Sequence, residues 1–295
     1  MKQKETINSM MVMLGAVLWG TVGTAQHFAP EGATPMSIGA ARLALGGGVL
    51  LIYALLKGKL TGREIFSRKS TYIGAVSMAS FQLTFFAGVL LTGVAMGTVV
   101  AIGSAPIFAG VISLVSSKEN PGLKWLISTL VSVLGCVLLV VGGDELSVNT
   151  TGIILALGAG LSYAIYTASS KNLLVDFTPE AVTGIVFSMG AIIMSPFLLI
   201  YSLDWLFTAR GIIVTMHLGL ITTALAYFVF TYGLSGIKLH KAVTLTLAEP
   251  VTAALLGVFL LKENLSMISG VGMGLVVAGL VILSISRPKR RYPQT

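Results

Sequence analysis

Apolar residues run through this chain in ten long blocks separated by short polar punctuation. The blocks cover about 8–28, 35–56, 71–91, 94–116, 123–141, 151–170, 180–201, 211–234, 240–261 and 266–286. A helix needs roughly 20 apolar residues to cross the ~30 Å hydrocarbon layer of a bilayer, and each block has about that length. The narrowest division is the one around Thr92-Gly93, between the third and fourth blocks. The first block is too long for the core of a signal peptide and is followed at once by another, so it reads as a span. The connections are too short to hold a soluble domain. The pattern predicts an all-α integral membrane protein of ten transmembrane helices.

Composition narrows the function classes. Charged residues are 10% of the chain and hydrophobic residues 55%, against about 25% charged in soluble domains. Too few charges are present to cover a soluble globule, which argues against ordinary soluble enzymes, nucleic-acid binders and disordered proteins. Glycine is abundant, at 34 residues, and suits close packing of membrane helices. The single cysteine, Cys136, excludes an intrachain disulfide and sits in an apolar span as a small hydrophobe. The net charge is +8, and its distribution explains it. With the N-terminus in the cytoplasm, 16 of the 19 Lys and Arg fall on the cytoplasmic side, Arg210 and Lys262 outside, and Arg42 within the second span. The positive-inside rule then places both termini in the cytoplasm. The basic tail, 287–295, reads as an anchor against anionic lipid rather than a nucleic-acid contact.

The chain also repeats itself. A shift of 144 residues carries Pro106 onto Pro250, Lys118-Glu119-Asn120 onto Lys262-Glu263-Asn264, Gly135 onto Gly279 and Leu139 onto Leu283. Near the start of each half, Leu14-Gly15-Ala16 matches Leu157-Gly158-Ala159 at a shift of 143. The two units are 8–141 and 151–286, with five spans each. Five is odd, so the second unit enters the membrane from the opposite face. Inverted repeats of this kind suit alternating access to a central site.

Several local patterns together resemble the ten-helix EamA-type branch of the drug/metabolite transporter superfamily. They are Leu18-Trp19-Gly20, Ala41-Arg42-Leu43, Ala105-Pro106 with Lys118-Glu119, Ala248-Glu249-Pro250 with Lys262-Glu263, and the glycines between Gly270 and Gly279. The resemblance covers about 8–286. It implies a central cavity lined mainly by spans 1, 3, 4, 6, 8 and 9, with spans 5 and 10 peripheral, and it implies small-molecule transport. Relatives are associated with amino acids, amines, nucleosides, sugars and drugs, so it does not name a substrate.

Glu249 is the leading candidate for function. It lies well inside span 9, where an acid costs ~2.5–3.5 kcal/mol unless it faces the bundle interior or has a partner. Its counterpart in the first half is Ala105, so the shared architecture does not require an acid there. It reads either as a counter-charge for an amino group or proton-coupling site, or as a helix cap or buried pair. Arg42, at a similar depth, either snorkels outward, pairs with Glu249, or meets a substrate carboxylate. Pro106 and Pro250 lack an amide donor and free the carbonyls of Ile102 and Thr246. Such carbonyls must line a cavity or find a side-chain partner, so both prolines are expected to shape a vestibule. Trp19, Gln82, Phe86, Tyr163, Tyr166, Tyr227 and Thr246 complete the expected lining, since aromatic walls around one carboxylate suit an ammonium group. His27 and His217 read as interfacial and His240 as an inert cytoplasmic residue. The glycines of span 10 read as a packing face, within one protomer or between two.

The sequence carries no phosphate-binding loop for ATP, no metal-ligand spacing and only one acid well inside a span, which argues against an intramembrane enzyme. No cofactor is expected, and transport would be driven by an ion such as the proton, by a counter-transported solute, or by the substrate gradient. The expected function is a secondary transporter of the plasma membrane, moving an amino acid or related amine, with export favoured by the family resemblance alone. The alternatives are a quaternary-amine or drug carrier and, more remotely, a receptor or enzyme.

Overall fold

The computed structural model describes residues 2–60, 64–116, 120–142, 149–262 and 266–285. Among them regular structure is entirely helical. Ten helices are long and apolar enough to cross a membrane: spans 1 (Gln3–His27), 2 (Pro35–Leu56), 3 (Lys69–Thr92), 4 (Met96–Val115), 5 (Gly122–Val141), 6 (Thr150–Leu173), 7 (Pro179–Ile200), 8 (Ala209–Ser235), 9 (Leu239–Leu260) and 10 (Met267–Ser284). The ten apolar blocks of the sequence match them in number and order. Gly93 makes the narrow division between spans 3 and 4, with φ of 81°, a conformation that a side chain would strain. The basic tail, Arg63 and most of the two Lys-Glu-Asn triplets lie outside the described residues.

Local chemistry starts the spans. Thr34 and Thr178 each accept a hydrogen bond from the backbone N–H three residues on, with a proline at the next position already set for helix. Asn149, Thr208 and Ser266 cap spans 6, 8 and 10 in the same way. The bundle then buries polar groups and exposes apolar ones, the reverse of a soluble globule. Arg42, Gln82, Thr223 and Thr231 are buried, while Leu56, Ile192, Leu199 and Phe259 face outward.

Glycine sets the closest seams. A Cβ on Gly135 of span 5 would sit 2.5 Å from the Gly272 carbonyl oxygen of span 10, and one on Gly272 would sit 2.6 Å from the Gly135 oxygen. Gly272 and Gly279 of span 10 therefore pack within the protomer, against span 5. Span 2 lies along span 7 as span 5 lies along span 10; span 3 pairs with span 6 as span 8 pairs with span 1. Moving every span label by five leaves this set of pairs unchanged. The pairing departs from that rule at one place that bears on the site. Span 4 packs closely on span 6, whereas span 9 meets span 1 over a short stretch only.

Backbone contact at Gly272 and open space at Gly274 make a matched pair. Gly272→Ala is expected to force spans 5 and 10 apart and cost about 1–3 kcal/mol, the range for overpacking. Gly274→Ala is expected to leave stability unchanged or slightly raised. Thermal unfolding of the purified variants checks both.

Candidate functional site

Two of the ten helices are discontinuous, and their breaks touch. Span 9 consists of Leu239–Leu245 and Ala248–Leu260, joined by a turn at Thr246 and Leu247. Pro250 cannot donate to the Thr246 carbonyl. The chain tightens instead, and the Glu249 N–H donates to the Thr246 oxygen at 2.9 Å, while the Leu247 N–H donates to that of Thr244 at 3.1 Å. The expectation that the freed carbonyl lines a cavity or takes a side-chain partner is therefore corrected: its partner is the backbone amide of Glu249. Span 4 shows no such break, since Pro106 lies inside the unbroken helix Val94–Val115. Only one of the paired prolines interrupts its helix.

Span 1 is broken at Gly20 and Thr21, between helices Lys2–Trp19 and Val22–His27. A Cβ on Gly20 would lie 2.8 Å from the Glu249 carbonyl oxygen, so the absence of a side chain lets the two breaks meet. The Thr21 hydroxyl donates to the Leu18 carbonyl at 2.7 Å and lies 2.8 Å from Nε2 of His217. Its one proton being used, it accepts from the imidazole N–H. His217 opens a wide helical stretch in span 8, His217–Leu225, that closes hydrogen bonds five residues apart, as π-helix does. Within that stretch the Thr223 hydroxyl donates to the Leu218 carbonyl at 2.8 Å and accepts from Nε of Arg42 at 3.1 Å. Arg42 is thus held inward and does not snorkel.

These elements enclose a cavity of about 30 Å³. Glu249 and Arg42 both line it, with Gln82. Its remaining wall is largely aromatic: Trp19, Phe81, Phe85, Tyr163 and Tyr227, besides Val22 and Ile102. Trp19 packs on Tyr227 with ring centroids 4.5 Å apart and meets Tyr163 edge-on at 6.0 Å. The indole N–H of Trp19 and the hydroxyl of Tyr163 are buried without a hydrogen-bond partner. The salt bridges among the described residues are Arg68–Asp176 and Lys241–Glu5, so Glu249 and Arg42 share a wall without closing an ion pair on each other. Above lies a chamber of about 510 Å³ that shares Trp19, Val22, Phe85 and Glu249 with the small cavity. It reaches the span ends at His27, Val140 and Leu261, the end of the bundle opposite the N-terminus.

Of the residues expected at the site, Glu249, Arg42, Trp19, Gln82, Tyr163 and Tyr227 come together on this wall. Three do not line it. Phe86 is fully buried with its ring against Gly39 of span 2. Tyr166 packs against Phe187 at 5.8 Å and Tyr227 at 5.9 Å. The Thr246 hydroxyl donates to the Val243 carbonyl at the turn. Phe81 was not foreseen, although it stacks on Phe85 one turn away, at helical spacing. Nor was the pairing of His217 with Thr21, which joins spans distant in sequence. His240, expected to be inert in the cytoplasm, is buried at the start of span 9 beside Trp125, whose indole N–H donates to the His240 carbonyl at 3.1 Å. The six spans expected around the cavity all contribute, and Arg42 adds span 2. Spans 5 and 10 reach the upper chamber through Leu139, Val140 and Ser269. No group of three His, Cys, Asp or Glu is placed to hold a metal among the described residues.

Comparison with known proteins places this arrangement. The sequence profile of the EamA-like transporter family matches the chain twice, over residues 6–141 and 150–285. The uncharacterized transporter YwfM of Bacillus subtilis is 41% identical over 288 residues, covering 98% of this chain and 97% of that one. The threonine/homoserine exporter RhtA of Escherichia coli K12 is 27% identical over 270 residues, covering 91% of this chain and 88% of that one. A crystal structure with 18% sequence identity superposes with a TM-score of 0.79 over 93% of this chain and 95% of the other, a likeness of fold.

The Thr223 hydroxyl is the hydrogen-bond partner of a buried guanidinium. Thr223→Val keeps the shape, removes that partner, and is expected to lower stability by about 1.5–3 kcal/mol, the range for bonds to charged groups. Thr222→Val, whose hydroxyl bonds only its own helix, at the Leu218 carbonyl, is expected to cost less. Thermal unfolding of the two variants gives the comparison.

Proposed function

The chain belongs to the EamA-like transporter family, and from that footing we propose that it carries a small zwitterion of the amino-acid kind across the plasma membrane by alternating access. As a multi-pass membrane protein of that family it is a transporter rather than an enzyme.

The observation that carries the substrate reading is one carboxylate and one guanidinium on the same aromatic wall. The lower cavity, at about 30 Å³, has room for about one water-sized group. It is too small to take both ionic groups of a zwitterion as it stands, and Arg42 lines it and not the larger chamber, so ligand entry must widen it between Glu249 and Arg42. The body of the ligand then lies in the 510 Å³ chamber above. Glu249 receives the ammonium, with the rings of Trp19, Tyr163 and Tyr227 adding cation–π attraction. Arg42 uses Nε on Thr223 and keeps its other N–H groups for the ligand carboxylate. A quaternary amine or other simple cation would meet Arg42 as a like charge, which disfavours the cation-carrier reading. The buried Trp19 N–H and Tyr163 hydroxyl, left unpaired here, would gain partners from such a ligand. The similarity to RhtA, a threonine/homoserine exporter, supports an amino acid and outward movement.

Alternating access is supported by the main pairing of spans, which survives exchange of the two halves, and by the close contact of span 4 with span 6, which spans 9 and 1 do not match. We take 8–141 and 151–286 as oppositely inserted units, with Pro250 at the break that shapes the chamber and Pro106 as its counterpart. The uneven placement of basic residues puts the termini in the cytoplasm. The chamber then opens outward. A proton or a counter-transported solute that drives the cycle would act on Glu249, the acid that both cavities share.

Glu249→Gln is expected to weaken binding of the preferred amino acid at least about 30-fold, equivalent to ~2 kcal/mol or more for a desolvated charge contact. A thermal-shift screen of purified protein against amino acids and amines finds the ligand and reads the loss. Wild-type protein in proteoliposomes is expected to give counterflow of the labelled ligand. Unchanged binding by the variant would remove Glu249 from the site, and absence of counterflow would overturn transport.

A further inference from the structure

The internal repeat carries the wall of the open chamber onto a packed region in the other half of the molecule. The chamber's wall on span 9 includes Glu249, Pro250 and Ala253. The 144-residue shift carries these onto Ala105, Pro106 and Ala109 of span 4, all buried. Its wall on span 1 includes Val22, Gly23, Gln26 and His27. The shift of 144 carries Val22 and Gln26 onto Tyr166 and Ser170 of span 6, and the shift of 143 carries Gly23 and His27 onto the same two residues. In either register the open wall corresponds to Tyr166 and Ser170. Between spans 4 and 6 there is now no space: a Cβ on Gly160 would sit 2.5 Å from the Ala101 carbonyl oxygen.

The chemistry beside this seam, where span 6 turns Tyr166 and Ser170 toward span 8, is at odds with permanent burial. Tyr166 is 1% exposed and Ser170 and Thr231 are 0% exposed. The Tyr166 hydroxyl makes only weak, poorly aligned contacts with those of Thr231 and Ser170, and none of the three has a hydrogen bond of normal geometry. Buried unsatisfied hydroxyls cost stability, and apolar groups of the same shape would remove the cost. Three such groups side by side, each able to donate and accept, are suited to a wall that is wet in another state. The seam also lacks an acid where the open side has one, since Ala105 stands at the counterpart of Glu249.

Resting on the alternating-access reading, we propose that Tyr166, Ser170 and Thr231 form the wall of a second chamber, closed in this state, that opens toward the N-terminal face. This wall gives hydroxyl contacts to either end of a zwitterion and no fixed charge. The ligand is gripped by ionic contacts at the Glu249 end and let go past neutral hydroxyls.

The test is side-specific thiol labelling in the full chain. Ser170→Cys is made on a Cys136→Ala background and exposed, in oriented membrane vesicles, to a membrane-impermeant quaternary-ammonium methanethiosulfonate. Wild type, whose one thiol is the buried Cys136, is the control. Ser170→Cys is expected to react from the N-terminal face at least about tenfold faster than Cys136, because turnover must populate the opened state. Thr231→Cys carries the same test should Ser170→Cys fail to fold. Reaction no faster than Cys136, or reaction only from the opposite face, overturns the proposal. The labelling needs no substrate. A failure here therefore leaves the Glu249 reading standing, and unchanged binding in Glu249→Gln leaves this result standing.

Discussion

A carboxylate and a guanidinium inside a hydrocarbon layer must be housed away from lipid, and the rest of this structure follows from that constraint. Each charge costs several kcal/mol at depth unless the bundle supplies polar surroundings. Arg42 is supplied by the Thr223 hydroxyl, held in place by the widened helix of span 8. Glu249 is supplied by a turn at mid-depth and by the cavities on either side of it. Neither residue closes a salt bridge on the other among the described residues. A self-contained ion pair would need no chamber. Two charges that share a wall without pairing leave that wall with capacity to spare.

Broken helices provide the housing. Spans 1 and 9 each give up a turn of regular helix where they meet, and Gly20 admits the Glu249 backbone at a distance that any side chain would forbid. Irregular backbone in a membrane survives only inside protein or along a cavity, and both conditions hold here. The cost of the break in span 9 is limited because the Glu249 amide takes the carbonyl that Pro250 leaves. Span 4 carries the matching proline without a break and packs against span 6. The difference between spans 9 and 4 is thus the difference between a helix that borders the chamber over its length and one that packs on its neighbour.

Much of the fold was legible in the sequence, because hydrocarbon thickness sets span length and apolar composition marks it. Glu249 and Arg42 were legible too, as charges that a bilayer tolerates only in the interior. The aromatic residues divided. Trp19, Tyr163 and Tyr227 reach the wall, while Phe86 turns toward Gly39 and Tyr166 toward Phe187. Helical spacing fixes the face a ring lies on to within a residue or so, and one step around the helix separates cavity from packing. The break at Thr246 was signalled by Pro250, which frees that carbonyl, whereas the break at Thr21 and the widened stretch of span 8 were hidden because they arise from contacts between distant segments, such as Thr21 with His217. Hydropathy averages over such interruptions.

The central claim is that Glu249 and Arg42 each hold one end of the same ligand. Isothermal titration of wild-type protein with three compounds tests it most directly: the preferred amino acid, the same molecule with its carboxylate removed, and the same molecule with its amino group removed. The account predicts measurable binding of the first and loss of both others by at least about tenfold, ~1.4 kcal/mol. Equal binding of the compound lacking the carboxylate would contradict it and return the site to a carrier of simple amines.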